Sequence, residues 1–371
     1  MKTLNIPKHK RSTDSQRGSA ANIQPVLWGL LHGLNDFTAG FMLAAYTLSH
    51  QNADGFLFIV IYAIIGFGGQ LPVGFWLDHK KSIRPFAVTS LILLPLAAIT
   101  YFISAGAGII LSGLASAFVH VTGGAVCLQV HEGKTGPLAL FTAPGVLGLT
   151  LGGVLASFGA WQLLVMAALV VPLGFFVLKN SLPHYRPAQK KESELDAHDW
   201  LMLSILLIMC FRSFIFDVIN HVSQDFEHGV LIIGISAFAG KIIGGFIADQ
   251  IGWKKFVYIT LPIALLLFQF GKENIYALAF GIACLQSSVP VTLLLMGRSL
   301  PLYPATATAL SLGTSVALAG LPIFLVSDSN AIRFTFDNAW VTAIIALLVF
   351  ATWLLADRLF FRKIFNRQTA P

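Results

Sequence analysis

The sequence predicts an all-α membrane protein of about twelve transmembrane helices in two pseudo-symmetric six-helix bundles, and three observations carry that prediction. The composition suits a chain dissolved in lipid, apolar stretches of membrane-crossing length recur along it, and basic residues collect at alternate junctions between those stretches. Of 371 residues, 56% are hydrophobic and 11% are charged, with a mean hydropathy of +0.76. A water-exposed globular surface of this size does not tolerate that balance.

Read with a window of about 19 residues, the apolar stretches fall near 24–48, 55–77, 85–103, 106–128, 135–157, 160–179, 199–221, 229–248, 255–271, 274–297, 304–326 and 338–357. Each can cross a hydrocarbon core of about 30 Å, the shortest with some local thinning. Internal Gly and Pro are ordinary here, because neighbouring helices satisfy the backbone groups they free. The first stretch is too long for a cleavable signal and lacks a small-residue cleavage pattern, so it is expected to stay as a helix.

The net charge of +7 does not indicate nucleic-acid binding, because the basic residues mark topology. Lys2, Lys8, Lys10, Arg11 and Arg17 precede the first stretch; Lys80, Lys81 and Arg84 follow the second; Lys134 follows the fourth. Lys179, Arg186, Lys190 and Lys191 follow the sixth, Lys254 and Lys255 the eighth, Arg298 the tenth, and Arg358, Arg362, Lys363 and Arg367 the twelfth. If every stretch crosses, all of these share one side and the other holds Lys272 and Arg333. The positive-inside rule then puts both termini in the cytoplasm, as expected for a multi-pass protein of a bacterial plasma membrane. The polar interruption from Ser181 to Asp199 divides the stretches six and six and reads as a solvated linker. The expected organisation is a cytoplasmic tail at 1–23, a bundle at 24–179, a linker at 180–198, a second bundle at 199–357 and a cytoplasmic tail at 358–371. Cys127, Cys210 and Cys284 all fall within predicted spans and suggest neither a disulfide framework nor a zinc cluster.

Each half carries a related motif after its second helix. The first reads Gly74-Phe75-Trp76-Leu77-Asp78-His79-Lys80-Lys81, and the second runs from Gly245 through Asp249 and Gly252 to Lys254 and Lys255. Glycine permits close helix approach, aspartate at a helix end can accept from the amides of a neighbouring helix, and the basic residues hold the cytoplasmic face. Such a joint can lock and release. Gln70 and Lys241 become equivalent when the two motifs are superposed, which makes them interface candidates; for Lys241 snorkelling to the cytoplasm is the favoured role.

The paired motif resembles the signature loop of the major facilitator superfamily, with His79 and Gln250 in place of a basic residue and Lys81 in place of glycine. His32-Gly33-Leu34-Asn35-Asp36 and the run from Gly113 to His120 and Gly123 resemble, more narrowly, the fosmidomycin-resistance branch of that superfamily, although Val121 stands where the branch has proline. Helix five, with Pro144, Gly145, Gly148, Gly152 and Gly153, is similar to that branch's small-residue helix. The resemblance implies the major facilitator fold and secondary transport by alternating access.

Ionisable side chains in mid-bilayer persist where they are paired or used. His32 and Asp36 lie one helical turn apart on one face, beside Asn35, and His120 on helix four falls near the depth of His32 by the helical rise. This group admits three readings: a proton-coupling site in which burial and a neighbouring imidazolium compete over Asp36, a fixed polar brace, or a metal site. In helix seven, Arg212 is a candidate for substrate contact or a structural ion pair, and Asp217 and His221, with Asn220, repeat the acid–imidazole spacing toward the outer side. Thr308, Ser311 and Ser315, with Gln286 and Ser287, are cavity-lining candidates, against local backbone bonding.

The function expected from the resemblance, joined with the membrane-embedded His32 and Asp36, is proton-coupled export or antiport of a small organic compound, with protons and membrane lipids as the other partners, no cofactor and a monomeric state. The alternatives are divalent-metal transport, motivated by the His/Asp pairs, and a non-transporting membrane sensor or partner protein. Enzymatic activity is not expected: neither a nucleophile elbow nor a phosphate-cradling loop nor a clustered Cys/His motif occurs.

Overall fold

The computed structural model describes residues 23–50, 53–80, 82–131, 133–183, 197–325 and 339–355. The two tails, most of the linker, Lys81 and Arg333 therefore lie outside the described residues. What is described is nearly all helical. We number the helices α1 (Gln24–Ser49), α2 (Ala53–Ala63, a π-helical turn at Ile64–Gly68, then Gln70–His79), α3 (Arg84–Ile103), α4 (Ala105–Val130), α5 (Gly136–Leu155) and α6 (Trp161–Lys179). There follow α7 (Ala197–Val222), α8 (Gly229–Ile251), α9 (Trp253–Phe270) and α10 (Ile275–Gln286 and Val289–Ser299). The chain continues through α11 (Pro304–Thr308, a π-helical turn at Ala309–Thr314, then Ser315–Leu325) and α12 (Ala339–Leu355).

Among the described residues, α2 to α10 are nine helices long and apolar enough to cross a membrane. The other three fill the remaining expected stretches. α1 dilutes its apolar surface with buried polar side chains, Gln24, His32 and Asn35. α12 has 17 described residues.

Local chemistry accounts for many helix ends. Proline opens α1, α3, α5 and α11, where its missing N–H costs no helical hydrogen bond. Asn274 caps α10, its side-chain oxygen accepting from Tyr276 N at 2.9 Å. Gly252 ends α8 at φ 87°, a left-handed conformation that a side chain would strain.

Apolar side chains gather in three clusters. One is built almost wholly from α7 to α12, from Leu201 to Trp353; the other two draw chiefly on α1 to α6. Between the clusters, α5 packs on α8, and both α2 and α4 pack on α11. Gly313 in the π-helical turn of α11 lies against the Phe67 carbonyl and Gln70 in the corresponding turn of α2.

The tightest packing joins α1 to α5. A Cβ placed on Gly29, Gly33 or Gly40 would meet the backbone oxygen of Leu140, Pro144 or Leu149, and one on Gly148 or Gly152 would meet that of Gly33 or Phe37. Lipid gives apolar side chains no reason to leave it, so such glycine-lined faces hold helices together by close backbone contact. Replacing Gly148 by valine is expected to destabilise the fold by about 1–3 kcal/mol through overpacking. Alanine at Gly153, whose added Cβ meets nothing within 4 Å, is expected to be neutral or slightly stabilising. Thermal unfolding in detergent checks both, and equal effects would contradict this account of the contact.

Candidate functional site

The backbone contact between α1 and α5 sets the position of a buried ionisable cluster. His32 Nδ1 lies 2.9 Å from the Phe141 carbonyl oxygen of α5, and its Nε2 lies 3.1 Å from Asp36 Oδ2 one turn along α1. His120 reaches the same carboxylate from α4, with Nε2 at 3.6 Å from Asp36 Oδ1. Its Nδ1 lies 2.8 Å from the Ser116 carbonyl oxygen. The two imidazoles meet edge to face at 4.3 Å, and Asn35 donates to Asp36 Oδ1 at 2.9 Å. Gly145 of α5 leaves the room: a Cβ there would collide with His32 and Asp36. The acid side chain is 14% exposed and both histidines are 6% exposed.

These contacts fix the tautomers. A carbonyl oxygen only accepts, so both Nδ1 atoms must carry hydrogen. In the neutral rings Nε2 is then an acceptor, and both Nε2 atoms aim at a carboxylate, which also accepts. His32 and Asp36 at 3.1 Å hold together only if a proton lies between them or a cation joins them. The cluster thus has to hold a proton or a metal cation whenever it is closed.

The residues singled out in the second half do not form a matching cluster. Arg212 is 4% exposed and donates to Thr292 Oγ1 at 2.6 Å; among the described residues it makes no ion pair. Asp217 keeps a buried oxygen, Oδ2, without a hydrogen-bond partner, and it forms no ion pair with His221 among the described residues. Asn220 and His221 are half-buried further along α7. Lys241 departs from the snorkelling expectation: its ammonium turns inward and donates to the Thr142 carbonyl of α5 at 3.4 Å. The reason is its register, near the middle of α8 on the face that packs against α5. Gln70 bonds within its own helix to the Gly66 carbonyl at 3.0 Å. Thr308, Ser311 and Ser315 donate to carbonyls of their own helix, Ser287 to the adjacent Cys284 carbonyl, and Gln286 is buried beside it.

The two loop motifs place their aspartates alike. Asp78 accepts from Ala305 N at 3.1 Å, from Thr306 N at 2.8 Å and from the Thr306 hydroxyl, all at the first turn of α11. Asp249 accepts from Thr135 N at 2.7 Å, the Thr135 hydroxyl at 2.7 Å and Gly136 N at 2.9 Å, at the first turn of α5. Each carboxylate therefore caps a helix of the opposite half, where free amides and the helix dipole favour negative charge. Gly74 and Gly245 let the helices of this joint close, since a Cβ on either would press on Ala305 or on Ala139 and Thr135. Asp78 is fully buried and Asp249 is exposed, so the copy that matches the sequence pattern less well makes the drier contact. Lys80 and Lys255 are exposed and the Lys254 ammonium lies over the Trp253 ring.

The partners of the aspartates, Thr135, Gly136, Ala305 and Thr306, escape a reading of the motifs alone. The signal that marks them is Pro137 and Pro304, each at the start of a helix with amides to spare. Phe141, Thr142, Ser116 and Thr292 contribute through backbone oxygens or an unremarkable hydroxyl, and no pattern in the sequence announces them.

No family model matches the chain, and no curated protein matches it. Solved structures do. The outward-facing major facilitator transporter FucP superposes with a TM-score of 0.66 at 14% identity, covering 90% of this chain and 98% of that one. A variant of the Escherichia coli fucose:proton symporter FucP gives 0.63 at 12% identity over 90% and 98%. A bacterial homologue of the iron transporter ferroportin, outward-facing, gives 0.61 at 15% identity over 91% and 99%. The fold is the major facilitator fold. In that fold the two aspartate contacts join the halves at the end that carries the loop lysines.

Asp78→Asn removes charge-assisted bonds worth about 1.5–3 kcal/mol each in general, and is expected to separate that end of the molecule. Spin labels at Lys80 and Leu302 should report a longer or broader distance distribution. The exposed Asp249→Asn is expected to change it less, and an unaltered distribution in Asp78→Asn would show that the contact does not hold the ends together.

Proposed function

We propose that the chain is a secondary transporter of a small solute, working by alternating access and coupled to protons through His32, Asp36 and His120. The observation that carries the reading is the convergence of two imidazole Nε2 atoms on one carboxylate, with both Nδ1 atoms committed to carbonyls. A site that needs a proton or a cation when closed, set between helices of a fold built to expose its interior to alternate sides, suits proton loading and release. The fucose:proton symporter among the structural neighbours supports the same class of coupling. Export or antiport is the direction implied by the resemblance of residues 32–36 and 113–123 to the fosmidomycin-resistance branch, and it belongs to this proposal. So do the six-plus-six division at 180–198, cytoplasmic termini, and residence in a bacterial plasma membrane. The lysine-bearing end with its two aspartate contacts is then the cytoplasmic gate, closed here.

Proteoliposomes containing a pH-sensitive dye test the coupling. Compounds that move protons through the unmodified protein are expected to move none above background through Asp36→Asn, while the variant still assembles. Undiminished proton movement in Asp36→Asn would remove the assignment.

A second reading has its own support. One ligand atom from each of His32, Asp36 and His120 lies within 4.8 Å of the others, so a divalent cation could take the place of the proton, and a homologue of an iron transporter is among the structural neighbours. Here the metal is cargo. Calorimetric titration with Mn²⁺, Co²⁺ and Zn²⁺ is expected to show binding that His120→Ala weakens at least about tenfold, in line with loss of a ligand. No heat with any of the three ions excludes it.

A further inference from the structure

Beyond the proton site, the interior holds two basic side chains, Arg212 and Lys241, that are in direct contact with no carboxylate among the described residues. Arg212 is 4% exposed, and its single hydrogen bond among the described residues goes to the neutral hydroxyl of Thr292. Lys241 donates to a single backbone oxygen, that of Thr142. Neither side chain enters an ion pair among the described residues. Asp217, five residues beyond Arg212 on α7, lies off its face of the helix and makes no ion pair with it among the described residues. An uncompensated buried charge is among the most expensive features a membrane protein can keep, and two of like sign repel each other as well. Such a pair persists where a third, opposite charge arrives.

Helix packing puts both cations beside the proton site. α7 and α8 each pack on α10, which contributes Thr292, and α8 packs on α5. The Lys241 ammonium and the His32 ring bond to consecutive carbonyls of α5, those of Thr142 and Phe141. Lys241 lies within electrostatic reach of Arg212, Asp36 and His120. Thr142 and Thr292, which bond to the two basic side chains, are neutral, and Asp249 of α8 is taken up by Thr135 and Gly136 at the first turn of α5.

We infer that Arg212 and Lys241 form the seat for the oxyanion group, carboxylate or phosphate, of a small anionic substrate. The guanidinium offers a planar fork that matches either group, and the ammonium adds a mobile point charge. This deepens the transporter reading and rests on it, because a seat inside the bilayer serves a solute in transit. It also sets the sign of coupling. An anion on Lys241 neutralises the charge that favours a bare carboxylate at Asp36, so anion and proton each strengthen the binding of the other.

Thermal unfolding of the purified protein in detergent tests the seat, with inorganic phosphate, succinate and benzoate as probes, glucose and choline as neutral and cationic controls, and equimolar sodium chloride as baseline. At least one of the three anions is expected to raise Tm above the chloride baseline in a saturable way. Arg212→Gln and Lys241→Gln should each weaken its apparent affinity tenfold or more, and Arg212→Lys should weaken it less. If Arg212→Gln does not fold, Lys241→Gln and Arg212→Lys decide. The inference is overturned if no anion stabilises beyond chloride, if the glutamine variants bind as tightly as the unmodified protein, or if glucose or choline stabilises equally. The assay contains no proton gradient, so its failure is read separately from the fate of proton coupling in Asp36→Asn.

Discussion

The backbone contact between α1 and α5 governs the interior. Glycines on both faces bring the two helix axes close enough for Gly33, Phe37, Leu140 and Leu149 to touch through their main chains. At that separation the carbonyls of α5 become partners for side chains of other helices. Phe141 holds the His32 ring, Thr142 holds Lys241, and Gly145 clears space for Asp36. α5 thus serves both the acid–imidazole cluster and Lys241 through consecutive carbonyls. A wider gap would release the imidazole Nδ1 from its carbonyl and with it the orientation of Nε2. In lipid every such group needs an internal partner, so the packing of small residues and the chemistry of the ionisable ones are parts of one arrangement.

The same helix is capped at its first turn by Asp249, and α11 is capped by Asp78. The helix that positions the ionisable groups is therefore tied mechanically to the joint between the halves. A rotation that breaks the cap at Thr135 and Gly136 moves the carbonyls of Phe141 and Thr142, which lie less than two turns away along α5. Occupancy of the interior and closure of the joint can then influence each other through one rigid element.

Much of this was legible in the sequence, and the remainder was not for physical reasons. Hydropathy located the helical stretches, because lipid imposes a strong and local requirement on every residue that faces it. The i, i+4 spacing placed His32 and Asp36 on one face, and helical rise placed His120 at their depth. The motif pair marked Asp78 and Asp249 as residues at a junction. What the sequence withheld is information carried by contacts between residues more than a hundred positions apart. Lys241 read as a snorkelling residue because only the packing of α8 on α5 shows that its stem points inward. The partners of the aspartates are mostly backbone amides, and amides have no side-chain signature. Burial was equally hidden: the second motif matches its pattern better, yet Asp78 of the first is the one sealed from solvent. The polar face of α11 turned out to bond within its own helix, a choice between two satisfied states that spacing alone does not decide.

The aspartate contacts have an evolutionary corollary. A carboxylate that grips main-chain N–H groups at residues 136 and 305 makes almost no demand on which side chains stand there, proline excepted. Beyond the hydroxyls of Thr135 and Thr306, which also donate to the two acids, side chains along the first turns of α5 and α11 can change while the grip persists. A mechanism anchored this way can survive long sequence divergence with its working parts intact, and its shape can outlast any recognisable similarity of letters.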